Sequence, residues 1–111
     1  MSTEPEVCEV ILTAPDPEWL KEFTDGLVAN RLCAAAHNFA PIRTTYWWEG
    51  ELHTAEEGRA ALHTRKSLVG DIVEHVKREH PYEVPGLVVT PIFSGNPEYL
   101  TWIVAETSDG V

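Results

Sequence analysis

Basic residues are scarce: Lys and Arg number 8 against 18 Asp and Glu, a formal charge of −10 over 111 residues. An acidic surface of this kind repels phosphate backbones and anionic headgroups, so nucleic acid and membrane are disfavoured as partners. Long apolar runs are also missing. None approaches the ~20 residues of a membrane span, and Met1 to Glu6 lacks the basic and apolar regions of a signal peptide. A cytoplasmic address is the resulting expectation. Cysteine is limited to Cys8 and Cys33, far apart and outside any Cys-x-x-Cys pattern, which signals neither a zinc cluster nor a redox pair and leaves two small buried hydrophobes. With no nucleophile elbow and no glycine-rich phosphate loop, nothing supports an enzyme. No linker, low-complexity tract or repeat divides the chain, so residues 1–111 read as one domain with a core over about 7–106.

What the chain does contain is concentrated in Thr44-Thr45-Tyr46-Trp47-Trp48-Glu49-Gly50-Glu51-Leu52. This β-branched, aromatic run reads as a strand that stops at a turn glycine. Neighbouring strand residues point to opposite faces, so Trp47 and Trp48 cannot share a pocket. Burying one indole removes about 150 to 250 Å² from water, at most about 4 to 6 kcal/mol at roughly 25 cal/mol per Å². That is comparable with the stability of a small domain. Helices of so short a chain cover one face, so a second subunit is expected on the other. One indole should be buried in its own subunit and the other should lie at an interface.

The remaining elements follow from periodicity and caps. Val7 to Leu12 is a strand with apolar residues on both faces. Asp16-Pro17-Glu18 supplies an N-cap, a first-turn proline and a carboxylate near the positive helix end, ahead of the stripe Leu20, Phe23, Leu27 and Val28. A strand bent or bulged near Pro41 runs from Cys33 to Trp48 and turns at Glu49-Gly50. Its return strand is interrupted by the acidic patch Glu56-Glu57-Gly58 and resumes over Arg59 to Thr64. Ser67 caps a helix carrying Leu68, Val69, Ile72, Val73 and Val76, which Pro81 ends. Gly86 to Phe93 is a strand, and Asn96-Pro97-Glu98 repeats the capping chemistry before a short last helix. The order βαββαβ with a C-terminal helix is α+β and ferredoxin-like, a mainly antiparallel sheet with a long hairpin and two helices on one face.

Three strings then carry a resemblance: Thr45-Tyr46-Trp47-Trp48-Glu49-Gly50; His80-Pro81-Tyr82-Glu83-Val84-Pro85; and Pro91-Ile92 followed by Gly95-Asn96-Pro97-Glu98-Tyr99-Leu100 and Trp102. In order and spacing the chain resembles the CutA divalent-cation tolerance proteins over roughly residues 7 to 106. The resemblance implies a ferredoxin-like homotrimer with crossing hairpins, kinship to PII signalling proteins, and a link to copper and other divalent cations. Small-molecule binding in clefts between subunits, as the PII kinship allows, is the alternative, together with a purely structural or interaction trimer. The chain departs from the family pattern in three places. Ala36 stands where the family usually has a cysteine, His63 where it has a lysine, and Gly86 where it has a glutamate. In a regular strand Cys33 would face away from the Ala36 position.

The residues that remain for a metal are His80 and Glu83, an imidazole and a carboxylate across a Pro-Tyr turn, suited to weak binding of copper or zinc. The same residues also fit a structural role, with His80 and Tyr82 holding the helix-to-strand corner. His75 and Glu79, four apart on a helix, read as a solvated pair. His37, His53 and His63 have no ligand-like spacing, although the resemblance implies that His63, standing in place of a lysine, lines a pocket between subunits.

Overall fold

The computed structural model describes residues 6–107, so most of the N-terminal segment considered above lies outside it. The elements are β1 (Val7–Ala14), α1 (Pro17–Ala29), β2 (Ala35–Trp48), β3 (Glu51–Arg65), α2 (Val69–Glu79), β4 (Leu87–Pro91) and α3 (Pro97–Glu106). The four strands form one antiparallel sheet in the order β2-β3-β1-β4, the ferredoxin-like arrangement. Both predicted caps are in place. The Asp16 side chain accepts from Glu18 N at 3.0 Å, and Asn96 does the same for Glu98 N at 3.2 Å. Ser67 is different: it lies inside a 3-10 turn over Lys66–Leu68, and α2 begins after it with Leu68 at its cap.

One face of the sheet presents Val10, Leu12, Ala60 and Leu62 to Leu20 and Leu27 of α1 and Ile72 and Val76 of α2, forming the main core. The opposite face is not left to a second subunit throughout. There α3 packs Ile103, Tyr99 and Leu100 around Val7 and Ala34. Its end is tied down by an Arg31–Glu106 ion pair of 2.6 Å and by an Arg65 Nε hydrogen bond to the Thr107 hydroxyl. Cys8 and Cys33 are free and buried, and burial pushes the Cys33 thiol up to about 12. Cys33 precedes β2 and belongs to the core against which Ala36 packs, so the expectation that it faces away does not hold.

The hairpin turns at Glu49-Gly50, with φ of 50° and 79°. Two left-handed residues in a two-residue loop match the twist of paired strands, and glycine takes the second position without strain. β3 runs through Glu56-Glu57-Gly58 without a break. The glycine is there for closeness, since a Cβ would lie 3.0 Å from Pro17 Cα and 3.3 Å from Leu20 Cδ2. Opposite it, β2 carries an extra residue: Phe39 pairs with Arg59 and Ile42 with Glu57, which leaves Ala40 and Pro41 facing Gly58 alone. This bulge changes the phase of alternation along β2. Beyond it Thr44, Tyr46 and Trp48 share a face with Glu57, whereas Trp47 shares the other with Leu52 and Thr54.

The two indoles thus point to opposite faces as expected, but neither is buried in its own chain: Trp47 is 72% exposed and Trp48 39%. The helices end before the distal hairpin and cannot reach them. The fold extends over 46 × 27 × 22 Å with a radius of gyration of 14.7 Å, against about 13 Å for a compact chain of this size.

Candidate functional site

Pro81 stops α2 at His80, whose backbone turns to an extended conformation (φ −69°, ψ 139°). The chain then crosses the end of β1, which brings His80 onto the backbone of Thr13. Its Nε2 lies 2.8 Å from Thr13 O, and its Nδ1 lies 3.0 Å from Tyr82 N. An amide N–H can only donate and a carbonyl can only accept. Nδ1 therefore carries the lone pair, and Nε2–H donates to Thr13. Both ring nitrogens are committed within a side chain only 8% exposed, and the Trp19 ring meets the imidazole edge-on at 5.4 Å. Coordination of a metal would cost one of these two bonds.

Glu83 projects into solvent, and no hydrogen bond joins it to His80 among the described residues. Nor do the described residues contain any group of three or more His, Cys, Asp or Glu placed to hold a metal ion. Gly86 is locked to β1 by Thr13 N donating to its carbonyl at 3.2 Å, and a Cβ there would sit 3.0 Å from Thr13 Oγ1. A side chain at this position requires the Thr13 hydroxyl to give way by a few tenths of an ångström.

The corner residue with a partner of chemical interest is Tyr82. Its hydroxyl donates to Glu57 Oε2 at 2.8 Å. Burial, then the hydrogen bond to the Glu57 carboxylate and its charge, push the phenol up to about 12. Glu57 is 3% exposed, although the sequence placed it in an acidic patch expected to interrupt the strand. Between the hairpin and the corner lies a cleft of about 630 Å³, lined by Thr13, Thr44, Tyr46, Trp48, Glu57 and Tyr82 among others. Alternation along β3 places Glu57, with Tyr46 and Trp48, on the sheet face of Ala61, opposite the Ala60 and Leu62 core, so it is Tyr82 and not the core that covers it.

The other histidines are placed as follows. His75 Nδ1 accepts from Arg78 Nη2 at 2.9 Å, with Glu79 Oε2 3.4 Å away, and His75 and Glu79 lie on an open helix face as expected. His53 stacks on Tyr46 at 5.5 Å. His63 lies between Glu9 Oε2 at 2.8 Å and the Tyr99 hydroxyl, with the His37 ring 5.1 Å away. That Glu9–His63–Tyr99 chain was not foreseen, because it joins residues 54 and 36 positions apart.

A family model described as CutA1 divalent ion tolerance protein matches residues 8–106. The chain belongs to this family. Among its CutA relatives, the chain is 37% identical over 98 residues to the divalent-cation tolerance protein CutA of Pyrococcus horikoshii, covering 88% of this chain and 95% of that one. It is 35% identical over 100 residues to protein CutA 1, chloroplastic, of Oryza sativa, covering 90% of this chain and 56% of that protein. The chain thus spans about half the length of this plant relative. The crystal structure of CutA1 from Oryza sativa superposes with a TM-score of 0.91 at 34% identity, covering 98% of this chain and all of that one. The periplasmic divalent cation tolerance protein CutA from Archaeoglobus fulgidus superposes with a TM-score of 0.83 at 31% identity, covering 87% and 94% of the two chains.

These CutA relatives overturn the cytoplasmic expectation, since one is named chloroplastic and another periplasmic. Surface charge and the lack of apolar runs describe the folded unit, which is alike in all of them, and carry no cellular address.

Proposed function

We propose that the chain is one subunit of a homotrimer serving divalent-cation tolerance, joined through the distal half of its β2–β3 hairpin. The observation that carries this reading is the hairpin itself: Trp47, Trp48 and Leu52 are exposed on a firmly paired ladder. Apolar groups gathered on such a surface mark an interaction site. The tolerance role is carried over from the name of the Pyrococcus relative, which this chain matches over nearly its whole length.

In this reading His80 pins the corner and does not ligate. Cation contact falls to exposed carboxylates such as Glu83, hard oxygen donors that suit copper and zinc less well than imidazole or thiolate does. Binding is accordingly weak and unselective, and the reading contains no catalytic step.

Light scattering over a dilution series should return three times the subunit mass, and Trp48→Ala should lower the mass at the dilute end. Copper and zinc titrations should show affinity reduced by Glu83→Gln and unchanged by His80→Ala. A folded single subunit at every concentration would end the assembly reading. Stoichiometric copper binding abolished by His80→Ala, with the fold retained, would restore the imidazole as a ligand.

A further inference from the structure

The cleft between the distal hairpin and the 80–86 corner holds an arrangement that the tolerance reading does not use. Glu57 is almost fully buried, yet among the described residues its carboxylate has one polar partner, the Tyr82 hydroxyl, and no ion pair. A carboxylate offers about four acceptor sites, and burying it is costly unless a positive charge or further donors compensate. The walls beside it are aromatic. Tyr46 and Trp48 project from the same sheet face as Glu57, and Tyr82 closes the other side. Ring faces attract cations, and do so more strongly where water is excluded.

The donor set decides which kind of cation fits. A bare divalent ion takes about four to eight oxygen, nitrogen or sulfur ligands, whereas the described residues gather no three ionisable ligands at any point. A guanidinium or alkylammonium head needs one carboxylate and apolar flanks, and guanidinium also stacks on rings. The cleft, of about 630 Å³, is within the range of about 300 to 1,000 Å³ typical of small-molecule sites. The net charge of −10 draws cations towards it.

We propose that this cleft binds a small organic cation, its guanidinium or ammonium head paired with Glu57 and flanked by Tyr46, Trp48 and Tyr82. The site needs no metal, and because Glu83 also lines this cleft, divalent ions are kept chelated when it is tested.

The test is calorimetry on the protein as it assembles, with agmatine as the guanidinium probe, choline as the quaternary ammonium probe and butylurea as a neutral control. Agmatine or choline should bind saturably and butylurea should not. Glu57→Gln should weaken binding at least tenfold, and Trp48→Leu several-fold. Glu56→Gln, on the opposite sheet face, should leave it within twofold. Circular dichroism establishes that each variant is folded. If Glu57→Gln does not fold, the Trp48→Leu result decides, because that side chain lies outside the subunit core, with binding compared at concentrations where light scattering shows both proteins equally assembled. Absence of saturable binding, equal losses from Glu56→Gln and Glu57→Gln, or binding unaffected by Trp48→Leu would overturn the proposal. A crystal structure of the assembly with a neighbouring subunit's Arg or Lys seated on Glu57 would overturn it as well.

Discussion

The proximal and distal halves of the β2–β3 hairpin are built from one continuous ladder yet differ in how they are covered. Near Ala60 and Leu62 the inner face is sealed by α1 and α2, and Leu12, Leu20 and Ile72 have no exposed surface. Past the bulge the same strands carry tryptophan on both faces with no helix over either. The contrast separates two kinds of apolar residue. In the first half they stabilise the folded chain, and in the second they stay exposed, on the surface that the proposed assembly would cover. Periodicity alone cannot distinguish the two, because each half alternates in the same way.

The largest effect that tests this contrast is expected in the sealed half. Leu62→Ala should lower unfolding stability by about 2 to 5 kcal/mol through lost burial and a residual cavity. Chemical denaturation should show that loss equally at low and high protein concentration. A loss that vanishes at high concentration would place Leu62 in the assembly and not in the subunit core.

A smaller loss is expected where the halves meet. Gly58→Ala forces a Cβ to within 3.0 Å of the Pro17 backbone and should cost about 1 to 3 kcal/mol. The same denaturation curves measure it, and an unchanged midpoint would mean that α1 shifts freely away from the ladder.

In the distal half, Trp47→Ala should change the stability of a single subunit by no more than about 0.5 kcal/mol, as at other exposed positions. Its effect should be confined to the concentration dependence of assembly, read by sedimentation velocity. A stability loss as large as that of Leu62→Ala would erase the distinction between the halves.

The smallest effect concerns the thiols. Burial raises both Cys8 and Cys33, the latter to about 12. At pH 8, well below that value, almost no Cys33 thiolate forms, so the native protein should resist iodoacetamide and react only once unfolded. Mass spectrometry of the alkylated protein checks this. Ready labelling of the native state would show that the sealed half opens.

Much of the fold was legible because local chemistry agreed with the final structure. Asp16-Pro17-Glu18, Asn96-Pro97-Glu98, Glu49-Gly50 and Pro81 each start, turn or end an element through interactions with near neighbours. The errors arose where distant segments decide. Gly58 resembles a break until Pro17 packs against it, Glu57 resembles part of the same interruption until Tyr82 reaches across, and Cys33 appears to face away from Ala36 until β2 is found to start later. The candidate site was less legible for the same reason. His80 was identified as important in the HPYEVP string, but its two nitrogens are occupied by Thr13 and Tyr82, one of them 67 residues away. The departures at Ala36 and Gly86 could be read from sequence, whereas the tight seat of Gly86 on Thr13 required the structure.

The two-against-one bulge at Ala40 and Pro41 also bears on how chains of this family tolerate changes in length. The pair Phe39–Arg59 lies on one side and Ile42–Glu57 on the other, with Gly58 as the single residue between them on β3. Removing either bulge residue leaves one residue facing one, and every partnership towards the turn and towards the core stays as it was. A single-residue gap at this point in a comparison of homologues therefore leaves the orientation of the tryptophans unaltered. The same gap a few residues further along β2 exchanges inside for outside at every position up to the turn.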